Sequence, residues 1–187
     1  MAYVWYALAE GSDALEQGDM LDKFPIINLP EGIADAAASG RMEDALQKSI
    51  PVQQFDVIIL TKSCDFPKLT PTDEVILCPR LSYEEAARIS KKVSGQDGWS
   101  KLRRGHIVGL HLIDKCDLDG RVMPYQVIDL QRVFTSPLQV VRRHAARQGK
   151  RVRLCPPYRE HLAEAFARQF MRVDLPIDLP EKSPYVR

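Results

Sequence analysis

The chain has 187 residues, of which 45% are hydrophobic and 27% charged. This length suits one well-buried core and is short for two, and the composition excludes a disordered, collagen-like or coiled-coil chain. The 26 basic and 25 acidic residues leave a net charge of +1, but this total does not show how the charge is distributed.

Short segments rich in Val, Ile, Leu and Tyr, separated by Gly, Pro and Asp, predict a series of β-strands. In chain order these are Tyr3–Leu8, Met20–Ile27, Phe55–Lys62, Glu74–Pro79, Ile107–Asp114, Arg121–Asp129, Val133–Thr135 and Arg151–Cys155. The apolar start of the chain lacks cationic residues, so a first strand is favoured over a signal peptide. Asp119-Gly120 suits a tight turn and predicts a hairpin between Ile107–Asp114 and Arg121–Asp129.

Helical patterns interrupt these strands. The predicted helices are Ile33–Lys48 with a break at Ser39-Gly40, Tyr83–Val93, Pro137–Gln148 and Pro157–Arg172. Ser82 and Glu85 have the spacing of a capping box at the start of the second helix. In the last helix, apolar residues at steps of four from Tyr158 to Phe170 predict one face directed at the core.

Mostly antiparallel strands with inserted and terminal helices predict an α+β fold, with the strands around a small β-barrel. We expect one globular domain over residues 1–173, ending in the amphipathic C-terminal helix. Residues 174–187 contain three prolines and predict an extended tail.

The cellular context follows from apolar runs and cysteines. The longest apolar run, Val57–Leu60, is far shorter than the roughly 20 residues of a membrane-spanning helix, so we expect no membrane association. The four cysteines show no two-residue spacing typical of zinc or redox motifs. We therefore expect free thiols, a cytoplasmic protein, and neither a metal nor a cofactor.

The charge is strongly polarised along the chain. Residues 132–172 hold ten basic and two acidic residues, a net charge of +8, whereas residues 1–50 hold nine acidic and three basic residues, a net charge of −6. Arginines clustered on a helix and the next strand favour phosphate binding. The candidate binding residues are Arg142, Arg143, Arg147, Lys150, Arg151 and Arg153. Alternatively, the basic segment pairs with the acidic N-terminal third, inside the fold or across a homodimer.

A polar cluster, Thr61–Asp65, directly follows the apolar strand around Val57–Leu60. Rigid strands often present functional side chains at such ends. Cys64 is a candidate nucleophile if a histidine lies near it, and the alternative is a structural turn with Cys64 packed inward. The chain contains no Gly-rich phosphate loop, no His-Glu-x-x-His motif and no nucleophile elbow, so the familiar nucleotide-dependent and zinc-hydrolase classes are unsupported.

Four short segments follow an order that resembles the MazF/PemK-like toxin family. They are Gly18-Asp19-Met20, the apolar strand Val57–Leu60, the segment Val75–Ser82 in place of a strand ending in Pro-x-Thr-Ser, and the late segment Val127–Thr135. The resemblance covers about a third of the chain and implies an SH3-like barrel. It further implies RNA cleavage by an arginine before the central strand and a Thr or Ser after the next strand.

The sequence departs from that family at both catalytic positions. Gln54-Phe55-Asp56 stands where the arginine is expected, and Leu81 replaces the threonine, which leaves Ser82 as the hydroxyl. Without that cation, a major electrostatic contribution to catalysis is missing.

The leading hypothesis is therefore a non-catalytic module that binds RNA, DNA or a protein partner in a bacterial toxin–antitoxin or defence setting. One alternative is a divergent endoribonuclease with Asp65, Arg80 and Ser82 in its cleft. Another is a cysteine-dependent enzyme built on Cys64.

Overall fold

Strands and helices alternate through residues 4–28, 32–40 and 51–171, which are the residues described by this computed structural model. In chain order the elements are β1 (Tyr6–Ala9), β2 (Met20–Ile27), α1 (Ile33–Ala38), β3 (Val52–Ile59), a 3₁₀ turn (Phe66–Lys68), β4 (Glu74–Ser82), α2 (Tyr83–Ile89), α3 (Gly95–Arg103), β5 (Leu110–Ile113), β6 (Cys116–Leu118), β7 (Arg121–Met123), β8 (Gln126–Asp129), β9 (Phe134–Pro137), α4 (Leu138–Gln148), β10 (Arg151–Leu154) and α5 (Tyr158–Phe170).

The central sheet has six antiparallel strands in the order β2-β3-β4-β8-β5, with β9 also paired to β4. The first half of β4 pairs with β9, and its last three residues pair with β8. Separate antiparallel pairs join β1 to β10 and β6 to β7. The mixed α+β class is confirmed. The predicted SH3-like barrel is not, because the sheets are not closed and β2 and β5 lie at opposite ends of the strand order.

The end of β3, from Val57 to Ile59, is buried on both faces, which explains its uninterrupted apolar run. Val57 and Ile59 belong to the core beneath α4, whereas Ile58 and Leu60 belong to the core beneath α5 and the β1–β10 pair. This division follows from the alternation of side chains along a strand. A third, smaller core lies between β8 and the helices α2 and α3.

The predicted hairpin at Asp119-Gly120 is confirmed as a turn, but its strands differ from the prediction. Both turn residues have positive φ, 40° and 79°, and they join β6 to β7. The predicted strand Arg121–Asp129 divides into β7 and β8 around Pro124, because proline cannot donate a ladder hydrogen bond.

The capping box of α2 is confirmed, and α2 ends at Ile89, four residues before the predicted end. Helix α3 was not predicted. The remainder of the predicted helix Ile33–Lys48 beyond residue 40 lies outside the described residues, as does the tail 174–187. In the described part of the chain, every helix is too short or too polar to span a bilayer.

Candidate functional site

A cleft of about 900 Å³ lies between β2, the end of β4, the start of α2 and the β6–β7 hairpin. It brings together two predicted residues, Arg80 and Ser82, whereas Asp65 and Cys64 do not line it. Its charged lining residues are Asp22, Lys23, Asp56, Arg80, Glu84, Glu85, Arg88 and Arg121. Four acids and four cations are among them, so their formal charges cancel.

Arg80 is buried at the floor of this cleft. Its Nη1 donates to Gln126 Oε1 at 3.2 Å, its Nη2 donates to the Asp22 carboxylate, and Asp56 Oδ2 lies 3.8 Å from Nη2. The buried Nε has no hydrogen-bond partner. Because two carboxylates already face the guanidinium, its charge is offset before any ligand arrives.

Ser82 ends β4 and serves as the N-cap of α2. Its hydroxyl accepts a hydrogen bond from the Glu85 backbone N–H at 3.2 Å and lies 2.7 Å from Glu85 Oε2. The Glu85 carboxylate accepts hydrogen bonds from the Ser82 hydroxyl and from the Ser82 backbone N–H. These bonds, the side-chain one first, lower the pKa of Glu85. The hydroxyl is therefore committed to holding the helix terminus.

Cys64 and Asp65 lie in the turn after β3, before the 3₁₀ turn. The Cys64 thiol is exposed, and Asp65 Oδ1 lies 3.8 Å from its Sγ. Asp65 also pairs with Lys68 at 3.8 Å. The side-chain contact of Cys64 is thus with a carboxylate and not with the histidine that a Cys64 nucleophile requires.

Two of the predicted binding residues on β10 are occupied inside the fold. Arg151 is fully buried, and its Nε donates to Asp19 Oδ2 at 2.8 Å. Its Nη2 donates to the carbonyl oxygens of Asp13 at 3.0 Å and Ala14 at 2.8 Å. Arg153 donates to Asp19 Oδ1 at 2.5 Å. For these residues, the alternative of pairing with the acidic N-terminal third inside the fold is confirmed.

This buried ion-pair cluster continues to α5. Glu16 accepts from Arg153 Nη1 at 2.5 Å and from Arg159 Nη1 at 2.9 Å. Lys150, at the edge of the cluster, lies 3.2 Å from Asp119 and 3.9 Å from Glu10. The sequence analysis named Asp19 only within the segment Gly18-Asp19-Met20, and Glu16 only as part of the acidic excess of the first 50 residues. Neither was predicted as a partner of the arginines on β10.

The other predicted binding residues, Arg142, Arg143 and Arg147, are exposed on α4. Within the described residues none of the three has an acidic partner within ion-pair distance, and α4 itself contains no acidic residue. The opposite face of the helix packs on the core, because Leu138, Val141 and Ala145 are buried.

The end of α4 is tied to the neighbouring strand β2. His144 Nε2 lies 2.9 Å from the Asp22 carbonyl oxygen, and Gln148 hydrogen-bonds the Asp22 N–H at 2.8 Å and the Met20 carbonyl at 3.2 Å. Arg143 and Arg147 therefore project from a helix that is anchored at both its core face and its C-terminal end.

Comparisons with family models, curated proteins and solved structures gave no match to this chain. Within residues 4–28, 32–40 and 51–171, no group of three or more His, Cys, Asp or Glu side chains is arranged to hold a metal ion.

Proposed function

We propose that this protein is a non-catalytic binding module that holds nucleic acid through phosphate contacts along the exposed face of α4. The observation that supports this proposal is the contrast between two sets of arginines. Arg151 and Arg153 are neutralised by Asp19, whereas Arg142, Arg143 and Arg147 extend from α4 without an acidic partner among the described residues.

The spacing on α4 suits contacts to successive phosphates. Arg143 and Arg147 are four residues apart, so they lie on one face and about 6 Å apart along the helix axis. Arg142 points to one side of that face and borders a hollow beside residues 11–15. Cations near a helix C-terminus are also favoured by the helix dipole. Such contacts position a nucleic acid without reading its sequence.

The geometry of the cleft favours binding over catalysis. Two of the three groups expected to serve a ribonuclease, Arg80 and Ser82, are engaged by Asp22 and Glu85. Among the described residues, no histidine lines the cleft. The MazF/PemK-like relationship and a toxin–antitoxin or defence setting remain proposals. They rest on the order of the sequence segments Gly18-Asp19-Met20, Val57–Leu60, Val75–Ser82 and Val127–Thr135. We place the protein in the cytoplasm, which its four unpaired cysteines support.

The test is a titration of labelled single-stranded RNA and duplex DNA at about 50 and about 200 mM salt. Each phosphate neutralised on a single strand contributes about −0.7 to the slope of log K against log salt. Replacing three arginines should therefore reduce that slope by about 2. The variant is Arg142→Gln/Arg143→Gln/Arg147→Gln.

A matched control removes the same charge elsewhere, as Lys91→Gln/Lys92→Gln/Lys115→Gln, three exposed lysines outside α4. It should leave the slope unchanged. An equal fall in both variants would show a general charge effect and overturn the assignment to α4. No binding at low salt would overturn the nucleic-acid proposal altogether.

A further inference from the structure

A second concave site lies on the opposite side of the sheet from α4. It is a pocket of about 300 Å³ between β5, the loop that follows α3 and the part of α5 from His161 to Arg168. Two of the four histidines of the chain, His111 and His161, line it. One comes from the edge strand and the other from the helix, so only the tertiary fold brings them together.

His111 is held in a neutral state at this pocket. Burial, and then the neighbouring His161, lowers the pKa of His111 to about 4. Among the described residues, the ring of His111 makes no hydrogen bond, so a ring nitrogen is able to donate to a bound ligand. A neutral imidazole offers one donor and one acceptor.

The charge around the two histidines is positive. Arg103, Arg104 and Arg168 line the pocket against one acid, Glu164, which pairs with Arg168. Arg103 and Arg104 are exposed at the end of α3, with no acidic partner in the described part of the chain. Their guanidinium groups match the geometry of phosphate oxygens.

The remaining walls of the pocket are apolar. They are formed by Leu102, Ile107, Leu110, Leu112, Leu130 and Ala165. A site with apolar walls and a few convergent polar groups is typical of small-molecule binding. Its volume is at the lower end of the range for such sites, roughly 300–1,000 Å³.

We propose that this pocket binds a small phosphate monoester whose substituent is apolar or planar, with a nucleoside monophosphate as the test ligand. Arg103 and Arg104 hold the phosphate at the rim, His111 and His161 donate to it from either side, and the apolar walls accept the substituent. This binding is separate from the nucleic-acid contacts of α4, and neither requires the other.

The experiment is isothermal titration calorimetry of the full chain with AMP, adenosine and inorganic phosphate. AMP should bind at least about tenfold more tightly than adenosine or inorganic phosphate, because it combines the charge-assisted contact of the phosphate with apolar burial of the nucleoside. Arg103→Gln/Arg104→Gln and His161→Gln should each weaken AMP binding by about tenfold. Since His161 is exposed, its replacement tests the site even if His111→Gln does not fold.

The control is His106→Gln, because His106 lines the neighbouring hollow and not this pocket. It should leave AMP affinity unchanged. Equal weakening by His106→Gln, or AMP binding no tighter than adenosine, would overturn the phosphate site. Inorganic phosphate binding as tightly as AMP would overturn the role of the apolar walls. A loss of AMP binding in the α4 triple variant would overturn the separation of the two sites.

Discussion

Among the described residues, Asp19 is the acidic residue whose removal should cost the most stability. Its side chain is fully buried and accepts from Arg151 Nε at 2.8 Å, Arg153 Nε at 2.5 Å and the Glu16 backbone N–H at 3.0 Å. Asp19→Ala leaves the buried Arg151 guanidinium without a carboxylate. Removing one partner of a buried ion pair costs about 3–5 kcal/mol. Because backbone carbonyls still accept from Arg151, we expect a loss near the lower limit, about 3 kcal/mol.

Urea unfolding of the wild type and the variant measures this loss directly. The matched control is Glu164→Ala, which breaks the exposed ion pair with Arg168 and should cost no more than about 0.5 kcal/mol. Asp19→Asn keeps the shape of the side chain, and its loss of stability should lie between those of Glu164→Ala and Asp19→Ala. A loss below about 1 kcal/mol for Asp19→Ala would refute the reasoning, since it would place Asp19 among exposed pairs.

Two further predictions concern titration and thiol reactivity. Burial, and then His161, lowers the pKa of His111 to about 4, so its imidazole stays neutral in the folded protein. In the unfolded chain the same imidazole takes up a proton once the pH falls below its ordinary pKa of about 6.5. The free energy of unfolding should therefore fall by about 2 kcal/mol between about pH 7.5 and about pH 5. In urea unfolding, His111→Gln should abolish this part of the decline. An unchanged decline in the variant would contradict the prediction. For the thiols, iodoacetamide should label exposed Cys64 and spare Cys78, whose pKa is raised to about 12 by burial and then by Asp129. Mass spectrometry showing equal labelling of both in the folded protein would contradict this.

Local signals predicted the elements whose ends depend on a few neighbouring residues. The bounds of β2, Met20–Ile27, coincide with the prediction, and the capping box at Ser82 forms as expected. The end of α4 at Gly149 also follows, because that residue has φ of 76°, which favours glycine. Each of these features is decided within one turn of the chain.

Helix α3 shows where local signals are insufficient. Its sequence begins Gly-Gln-Asp-Gly, which has poor intrinsic helix propensity. The helix nevertheless forms because Leu102 is buried in the core with α2 and β8. Gly98 is required for the close approach, since a Cβ there would lie 2.4 Å from the Val93 carbonyl. Such packing is decided by tertiary contacts that a propensity argument does not include.

The candidate sites were predictable only in part, for the same reason. Exposure of the α4 arginines follows from the spacing of Leu138, Val141 and Ala145 on the opposite face. By contrast, Arg151 and Asp19 are 132 residues apart, and the residues of the pocket at His111 come from three separate segments. No local pattern marks these contacts.

The net charge is near zero because acidic and basic residues are nearly equal in number, and part of this balance is formed by ion pairs inside the fold. The acidic N-terminal segment contributes Asp19 and Glu16, and the basic late segment contributes Arg151, Arg153 and Arg159, which pair in one buried or half-buried cluster. Cations used in this way stabilise the fold and cannot also attract a ligand. The arginines on α4 and Arg103 and Arg104 beside His111 are not part of this cluster. The two sets border different sites, so charge-removing variants of each test different functions.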